Sequence, residues 1–445
     1  MDYILIYYLL FGVAAGIFVG IIPGIGNTFM LILFFPFLMN ADPLYLIVFS
    51  MSMLSISQYT GSITSIIFSA PGEASSMPAL YEGHRMYLDG RGSFALSGCA
   101  IGSTLGALIA MFFTIFVISN LQSYAVFYST RTQVYVLTAV LVFLSFNRLN
   151  HWAINIFFIV SGYSLGLIGV NSLDWSKTYT FGLDSLIPGI PMFAVLFWLF
   201  IFPQILDSWS KLKTSNSYQD LLLTHSIADH LTLFLSNIGS SLRGTVIGYF
   251  MGLVPYLTNI GASNVSYSTE SWIQKKKKKY NNNGDYASLI SAETANNAAA
   301  FSAFLPLLAI GIPITSSEAI IMNLATLNGY VFSIENFMSM FNLLAVCLVF
   351  VNLMGLLLSW PVVQNIKGFY KINFSYVYPV IMIISVFILF YIGDQSNQLL
   401  YYVAVSMVLA PIGYLLKNFN TMPLVFVFLL QNQIEENFTR LIFYL

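Results

Sequence analysis

An interrupted apolar segment limits what this chain can fold into more than any other feature. Residues 44–70 form an apolar run longer than the about 20 residues that a helix needs to cross a bilayer. The run ends at Pro71 and Gly72, so we expect the helix to stop there and to restart near residues 75–78. Hydrocarbon cannot satisfy the backbone groups that a break leaves unpaired, so the break must face protein or a polar cavity. Secondary transporters build binding sites from broken helices of this kind.

Composition supports a membrane location for most of the chain. Of the 445 residues, 58% are hydrophobic and 8% are charged, whereas a soluble domain carries roughly 25% charged residues. The formal net charge of −1 gives no basic field for nucleic acid. Cys99 and Cys347 each lie alone in an apolar run, so neither a disulfide nor a cysteine metal site is predicted. The predicted fold class is therefore an all-α polytopic membrane protein.

Apolar runs predict roughly 10–14 membrane segments. Several contain Pro or Gly in mid-run, which predicts discontinuous helices and re-entrant hairpins. The runs lie near residues 3–22, 26–40, 44–70, 94–119, 122–147, 152–173, 186–206, 231–255, 286–312, 317–333, 337–362, 376–393, 397–416 and 421–431.

A polar stretch divides these segments into two sets. Residues 207–229 contain no apolar run long enough to span a bilayer. They are predicted to connect a first repeat, residues 1–206, to a second repeat, residues 230–445.

Two Gly/Pro patterns recur in both sets at constant spacing. The pairs 232 residues apart are Gly16 and Gly248, Gly20 and Gly252, and Pro23 and Pro255. The pairs 242 residues apart are Pro71 and Pro313, and Ser75 and Ser317. Small residues at such spacing are common wherever membrane helices pack closely, but two patterns in the same order are a stronger signal. We therefore predict two inverted-topology repeats whose interrupted helices meet at a substrate site.

Basic residues near the predicted spans indicate orientation and anchoring. Residues 275–279 are five consecutive lysines, which predict that their loop lies on the cytoplasmic side. A disordered loop with no further role is the simplest interpretation of this run. Arg85 and Arg91 are predicted to anchor the membrane interface rather than to contact substrate. Arg243 borders an apolar run and is predicted to reach lipid headgroups.

Five segments carry a family resemblance: residues 20–26, 58–78, 82–91, 292–298 and 305–313. They contain the motif P-G-E-x-S-S in the first half and E-x-A-N-N-A in the second. With these motifs the chain resembles the large membrane subunit of the tripartite tricarboxylate transporters.

The resemblance implies a secondary transporter that imports a small organic carboxylate, a di- or tricarboxylate, across the bacterial inner membrane. It implies a cation gradient of Na⁺ or H⁺ as the driving force, and two partners, a small membrane subunit and a periplasmic solute-binding protein. Membrane lipid and a second copy of the chain are further predicted partners. One departure is Tyr256, which stands where the family has a glycine after Pro255 and changes how closely backbone and ligand can approach.

The two helix restarts are predicted to bind the anionic substrate. A helix N-terminus offers free N–H donors and about half a unit of positive charge. Ordinary helix capping and hydrogen bonding between helices are the alternative roles for the polar residues there. The predicted substrate-binding residues are Gly24, Asn27, Tyr59, Thr60, Ser62, Pro71, Gly72, Ser75, Ser76, Asn259, Ser263, Pro313, Thr315, Ser316 and Ser317.

Acidic residues in apolar runs are predicted to couple transport to a cation. Glu293 is followed one helical turn later by Asn296 and Asn297, which places an acid and two amides on neighbouring faces. Glu293 and Asn297 are the predicted Na⁺ ligands, although the carboxylate could instead take up a proton. Glu73 is a further coupling candidate whose alternative role is to complement a helix dipole. Glu318 has capping-box spacing from Thr315, so a structural role is favoured for it.

Enzymatic chemistry has no visible anchor in the sequence. The four histidines lack metal-ligand spacing, and neither a nucleophile elbow nor a P-loop is present. We therefore predict no enzyme activity and no cofactor beyond a coupling Na⁺. A membrane-embedded enzyme acting on lipid-linked substrates and a stand-alone anion channel are the alternatives.

Overall fold

The computed structural model describes residues 3–22, 25–69, 72–121, 130–146, 152–170, 177–210, 226–255, 258–362 and 374–443. These residues are almost entirely helical. A two-residue antiparallel pairing of β1 (Gly169–Val170) with β2 (Lys177–Thr178) is a minor exception.

The first half contains α1 (Tyr3–Ile21), α2 (Asn27–Leu38), α3 (Pro43–Phe68), α4 (His84–Leu88), α5 (Gly92–Leu121), α6 (Thr130–Phe146), α7 (Trp152–Gly166), α8 (Met192–Leu196) and α9 (Phe202–Ser210). The second contains α10 (Ile227–Ser236), α11 (Ile238–Gly252), α12 (Thr258–Lys276), α13 (Tyr286–Ile310), α14 (Ser316–Leu327), α15 (Ile334–Leu357), α16 (Val377–Gln395), α17 (Leu399–Leu415) and α18 (Met422–Phe443).

Length and hydropathy confirm the predicted all-α polytopic membrane class. Six described segments are long and apolar enough to cross a bilayer, and further shorter apolar helices accompany them. The six are Tyr3–Ile21, Pro43–Phe68, Gly92–Thr114, Met192–Ser210, Ile334–Trp360 and Val377–Gln395.

Both predicted helix breaks are present in the structure. Helix α3 ends at Phe68, and Ser69 adopts the left-handed conformation at φ 53°. Helix α13 ends at Ile310, where Gly311 at φ 72° returns its N–H to the carbonyl of Leu307. The chain restarts as a helical segment over residues 74–88 in the first half and as α14 in the second. We call these the first restart and the second restart.

The first restart contains short turns of tighter and wider helix. It begins with a 3₁₀ turn at Ala74–Ser76, continues through a π-helical turn at Ala79–Gly83 and ends with α4. π-Helical turns often occur at functional sites.

Helices of the two halves correspond in order and spacing. Helices α1, α2, α3 and α5 are matched by α11, α12, α13 and α15. The C-terminal residues of α3 and α13 are 242 residues apart, and so are the first residues of α5 and α15. The repeat boundaries at residues 206 and 230 stay a prediction, since α9 continues to Ser210, α10 begins at Ile227, and residues 211–225 lie outside the described part.

Rows of glycine let α1 pack closely against α3 in the first half, and α11 against α13 in the second. A Cβ atom at Gly12 would lie 2.5 Å from the carbonyl oxygen of Phe49, and one at Gly16 would lie 2.6 Å from that of Met53. In the second half, Cβ atoms placed at Gly244 and Gly248 would lie still closer to the carbonyl oxygens of Ser291 and Ala295 on α13. Small residues permit this backbone approach.

The two halves also pack across each other. Helix α3 contacts α15 of the second half, and α13 contacts α5 of the first. Helix α2 contacts the second restart, and α12 contacts the turn at Ala74–Ser76 in the first restart. The beginning of each restart therefore lies beside a helix of the opposite half.

Helix α12 is an element that hydropathy does not predict. Its 19 residues are rich in Ser, Thr and Asn, and several polar side chains, such as Ser263, Ser266 and Gln274, are buried against neighbouring helices. The constant spacing between the two halves does indicate this helix, because adding 232 to the residue numbers of α2 gives a range that falls within α12. The first part of the span predicted near residues 122–147, residues 122–129, lies outside the described residues, and so does Tyr256.

Candidate functional site

Glu73 caps the first restart and collects polar side chains around its carboxylate. Asn27 at the start of α2 donates a hydrogen bond from Nδ2 to Glu73 Oε1. Ser75 donates to Oε2 at 3.3 Å, and Ser57 of α3 lies 3.5 Å from Oε1. Ser76 donates to the Glu73 carbonyl at 2.7 Å and accepts from its N–H at 3.3 Å. Ser76 therefore acts as a capping residue, as the alternative to substrate binding predicts.

Gly72 lies where two helices leave no room for a side chain. A Cβ atom here would lie 2.5 Å from the carbonyl oxygen of Gly20 and 2.6 Å from Cα of Gly61. This contact holds the first break against α1 and α3. Pro71 and Gly24, the neighbouring predicted site residues, lie outside the described residues.

The second restart begins with a complete capping box. Thr315 Oγ1 accepts from the N–H of Glu318 at 3.2 Å, and Glu318 Oε2 accepts from the N–H groups of Ile314 and Thr315 at 2.8 and 3.1 Å. The structural role favoured for Glu318 is thus confirmed. Pro313 is buried in the break just before this cap.

A hydrogen bond between hydroxyl groups joins the second restart to the first half. Thr28 of α2 and Ser317 of α14 lie 2.8 Å apart. Ser316, one residue earlier, is buried, and its hydroxyl has no hydrogen-bond partner among the described residues.

Glu293 is fully buried where the middle of α13 meets α3. Its Oε2 accepts from Ser62 Oγ at 2.6 Å, while Oε1 has no hydrogen-bond partner within the described part of the chain. Asn297 donates back to the Glu293 carbonyl at 3.2 Å. Glu73 and Glu293 both approach α3, where Ser57 lies 3.5 Å from Glu73 Oε1 and Ser62 donates to Glu293 Oε2, so the first restart and the centre of α13 belong to one polar region.

Further buried polar atoms in these elements also lack partners among the described residues. They are both side-chain polar atoms of Asn296, Oε1 of Gln58, Oδ1 of Asn27 and Oγ of Ser263. Buried polar groups are normally hydrogen-bonded, and an unpaired one costs about 1–3 kcal/mol. Several such atoms on facing helices are typical of a place built for a polar ligand or an ion.

Tyr59 and Thr60 have roles in helix packing. Tyr59 bonds Thr104 of α5 at 2.9 Å and donates to Asn352 of α15 at 2.7 Å. Thr60 donates to the carbonyl of Gly16 at 3.1 Å. These bonds match the alternative in which the polar residues of α3 hold helices together. Asn259 lies at the start of α12, where its Oδ1 accepts from its chain neighbours.

The model of the tripartite tricarboxylate transporter TctA family matches residues 6–428, which is nearly the whole chain. The chain belongs to the TctA family. It is also similar to an uncharacterized 52.8 kDa protein in the TAR-I ttuC' 3' region of Agrobacterium vitis, with 29% identity over 324 residues. That match covers 72% of this chain and 63% of the relative's length. No solved structure matches the chain.

TctA membership confirms the resemblance carried by the sequence motifs. The two breaks, Glu293 and the restarts all fall inside the matched range. The chain is therefore a multi-pass membrane protein of a transporter family, and its polar region lies between the interrupted helices of that protein.

Sequence reasoning missed three polar residues of this TctA protein. Gln58 lies one helical turn before Ser62 on α3, and its Oε1 has no hydrogen-bond partner among the described residues. Glu270 of α12 forms a two-pronged ion pair with Arg243, at 2.9 Å to Nε and 2.8 Å to Nη2. Glu82 is fully buried in the first restart. The hydrogen-bond partners of Glu82 are distant from it in sequence. Glu270 lies on α12, a helix that hydropathy does not predict.

Proposed function

We propose that this TctA-family protein is the large membrane subunit of a tripartite system that imports a small di- or tricarboxylate across the bacterial inner membrane. Import is coupled to Na⁺ or H⁺ and uses a small membrane subunit and a periplasmic solute-binding protein. The observation that carries the proposal is that buried polar atoms on α3 and α13, the helices that end at the two breaks, have no hydrogen-bond partner among the described residues, with Glu293 Oε1 one of them. Family membership supports transport of tricarboxylates as the general activity.

The restarts supply what a carboxylate substrate needs. Backbone N–H groups and partial positive charge at a helix N-terminus attract an anion without a fixed cation that would slow its release. Ser75, Ser316 and Ser317 add hydroxyl groups at these ends. Since Ser76, Thr315 and Glu318 are engaged in capping, we assign them to holding the restarts in place.

The region between α3 and α13 supplies what a coupling cation needs. Glu293 Oε1, Asn296 Oδ1 and Gln58 Oε1 are hard oxygen ligands without other partners among the described residues. One carboxylate among neutral oxygens balances a single positive charge, which favours Na⁺ over a divalent ion. If the coupling ion is H⁺ instead, the Glu293 carboxylate is its acceptor. Substrate and cation then share one region, so that each binds better when the other is present.

Transport in proteoliposomes tests this proposal. The protein is reconstituted with its small membrane subunit and given a panel of radiolabelled di- and tricarboxylates loaded on the solute-binding protein. We expect uptake that follows an imposed Na⁺ or pH gradient and stops when that gradient is dissipated. Uptake that ignores both gradients would favour an anion channel, and absence of uptake for every acid would overturn the carboxylate assignment.

A further inference from the structure

A buried carboxylate joins the two halves of the molecule at the end of α12. Glu82 lies in the π-helical turn of the first restart, and its side chain is fully buried. Its Oε1 accepts from the hydroxyls of Tyr267 and Tyr280, each at 2.7 Å. Its Oε2 accepts from the N–H of Asp285 at 2.8 Å. All three donors belong to the second half: one lies on α12 and two lie in residues 277–285, which we call the lysine loop.

These bonds occupy the lone pairs of a carboxylate that is shielded from water. A buried carboxylate is costly unless its lone pairs are filled, and hydrogen bonds to charged groups are about twice as strong as neutral ones. Burial and the bond to Glu82 raise the pKa of the Tyr280 hydroxyl above its ordinary value, so this group remains a donor. If the two halves separated at this point, Glu82 would lose its hydrogen bonds from Tyr267, Tyr280 and Asp285.

The backbone of the lysine loop fits closely on the first restart. Gly284 has φ 108°, and a Cβ atom there would lie 2.6 Å from the carbonyl oxygen of Glu82. Arg91 donates to the carbonyls of Asn283 and Gly284 at 2.9 and 3.2 Å. The first half therefore holds residues 283–285 through one carboxylate and one guanidinium. These contacts give Arg91 the role of an anchor between segments.

Glu82 is connected to both sides of the candidate site. Asp285, whose N–H it holds, caps α13 by accepting from the N–H of Ser288 at 2.8 Å. Glu293 follows eight residues later on the same helix, about 12 Å along its axis. In the other direction, Glu73 begins the restart that carries Glu82. One carboxylate thus ties the helix of Glu73 to the helix of Glu293.

The corresponding contact at the end of the second restart is much weaker. There Asn328 donates from Nδ2 to the carbonyl of Met39, in the turn between α2 and α3, at 3.0 Å. Among the described residues no ionised side chain bonds across this end. The contacts between the two halves therefore differ at the two ends. Glu82 and Arg91 bind the lysine loop, whereas the amide of Asn328 binds the turn after α2.

We propose that Glu82 is a positioning residue of the transport cycle, which holds the first restart against the lysine loop and must release it before the candidate site opens toward that side. This inference rests on the proposed transport function. Glu82 acts through the two helices it joins and contacts neither substrate nor cation.

Hydrogen–deuterium exchange on the purified full chain tests the contact without requiring transport. Glu82→Gln keeps the size of the side chain but removes its charge, and Tyr280→Phe removes one donor. We expect exchange at residues 284–288 to rise about tenfold or more in Glu82→Gln and by a smaller factor in Tyr280→Phe. Asn328→Ala is the matched control at the other end and should leave exchange at residues 284–288 unchanged.

Transport kinetics, measured per folded molecule, separate a positioning role from a merely structural one. We expect Tyr280→Phe and Glu82→Gln to change the maximal uptake rate at least threefold while the apparent KM stays within about twofold, because the bonds limit a conformational step and not binding. Glu82→Asp should restore part of the wild-type rate. If Glu82→Gln does not fold, Tyr267→Phe and Tyr280→Phe carry the test.

Unchanged exchange at residues 284–288 in both tyrosine variants, or an unchanged maximal rate despite raised exchange, would overturn the inference. Raised exchange in a preparation whose wild type transports no carboxylate would instead count against the proposed function and leave the Glu82 contact itself confirmed.

Discussion

Glu293 combines full burial with an incomplete set of hydrogen bonds. One carboxylate oxygen accepts from Ser62, and the other has no hydrogen-bond partner in the described part of the chain. A structural carboxylate of the same protein looks different. Glu318 directs its Oε2 to two backbone N–H groups of its own cap. The comparison supports the proposed ligand-binding task of Glu293, whereas Glu318 stabilises its own helix cap.

Replacement of Glu293 by Gln tests that task. The amide keeps the shape and can still accept from Ser62, so the folded yield should change little. Without the charge, we expect stimulation of uptake by the coupling cation to fall about tenfold. Uptake with and without the cation gradient is the measurement, and Glu318→Gln, whose residue lies in a cap, serves as control. If the cation gradient stimulates uptake by Glu293→Gln as strongly as uptake by the wild type, Glu293 has no part in coupling.

Two glycines near the first break form a matched pair. Gly72 is enclosed by the backbones of Gly20 and Gly61, whereas no described residue other than its two chain neighbours has an atom within 4 Å of a Cβ atom placed at Gly26. We expect Gly72→Ala to lower the free energy of unfolding by about 1–3 kcal/mol through overpacking, and Gly26→Ala to change it by about 0.5 kcal/mol or less. Thermal unfolding in detergent compares them, and equal melting temperatures would show that the first break has room to adjust.

At the scale of elements, local signals predicted the breaks and long-range contacts decided the rest. Pro71, Gly72 and Pro313 act on their own backbone, so the ends of α3 and α13 could be located from the sequence. Helix α12 was missed because its polar residues are buried by neighbours that hydropathy does not reveal. The partners of Glu82 were likewise missed, because they lie 185 to 203 residues away along the chain.

The second restart offers a test of capping. Thr315 accepts from the N–H of Glu318, and loss of such a cap typically costs about 1 kcal/mol. Thr315→Ala should therefore lower the free energy of unfolding by about that amount and raise hydrogen exchange at residues 314–318. Thr315→Ser keeps the hydroxyl and should behave like the wild type. Similar losses in the two variants would mean that the hydroxyl does not cap α14.

At the scale of the whole molecule, the two halves form one interlocked body. Helix α3 of the first half packs against α15 of the second, and α13 of the second half packs against α5 of the first. The restarts lie in this shared region and extend toward different turns, the first toward the lysine loop and the second toward the turn after α2. Inverted topology would place those two turns on opposite faces of the membrane.

Single cysteines test that orientation. Lys277 in the lysine loop and Leu327 at the end of the second restart are both exposed, while the native Cys99 and Cys347 are buried and can be replaced by alanine. We expect an impermeant maleimide to label Lys277→Cys only in inside-out vesicles, because lysine runs stay in the cytoplasm. Leu327→Cys should be labelled only in right-side-out vesicles. Labelling of both from one side would contradict inverted topology.

The glycine rows have a mechanical consequence. With backbone nearly touching backbone, α1 cannot slide along α3, nor α11 along α13, without collisions at Gly12, Gly16, Gly244 and Gly248. Each pair must therefore move as a rigid body, and any movement that exposes Glu293 has to take place at the contacts between different pairs. The distance between two spin labels on the same pair should therefore stay constant during transport. The distance between labels on two different pairs should change.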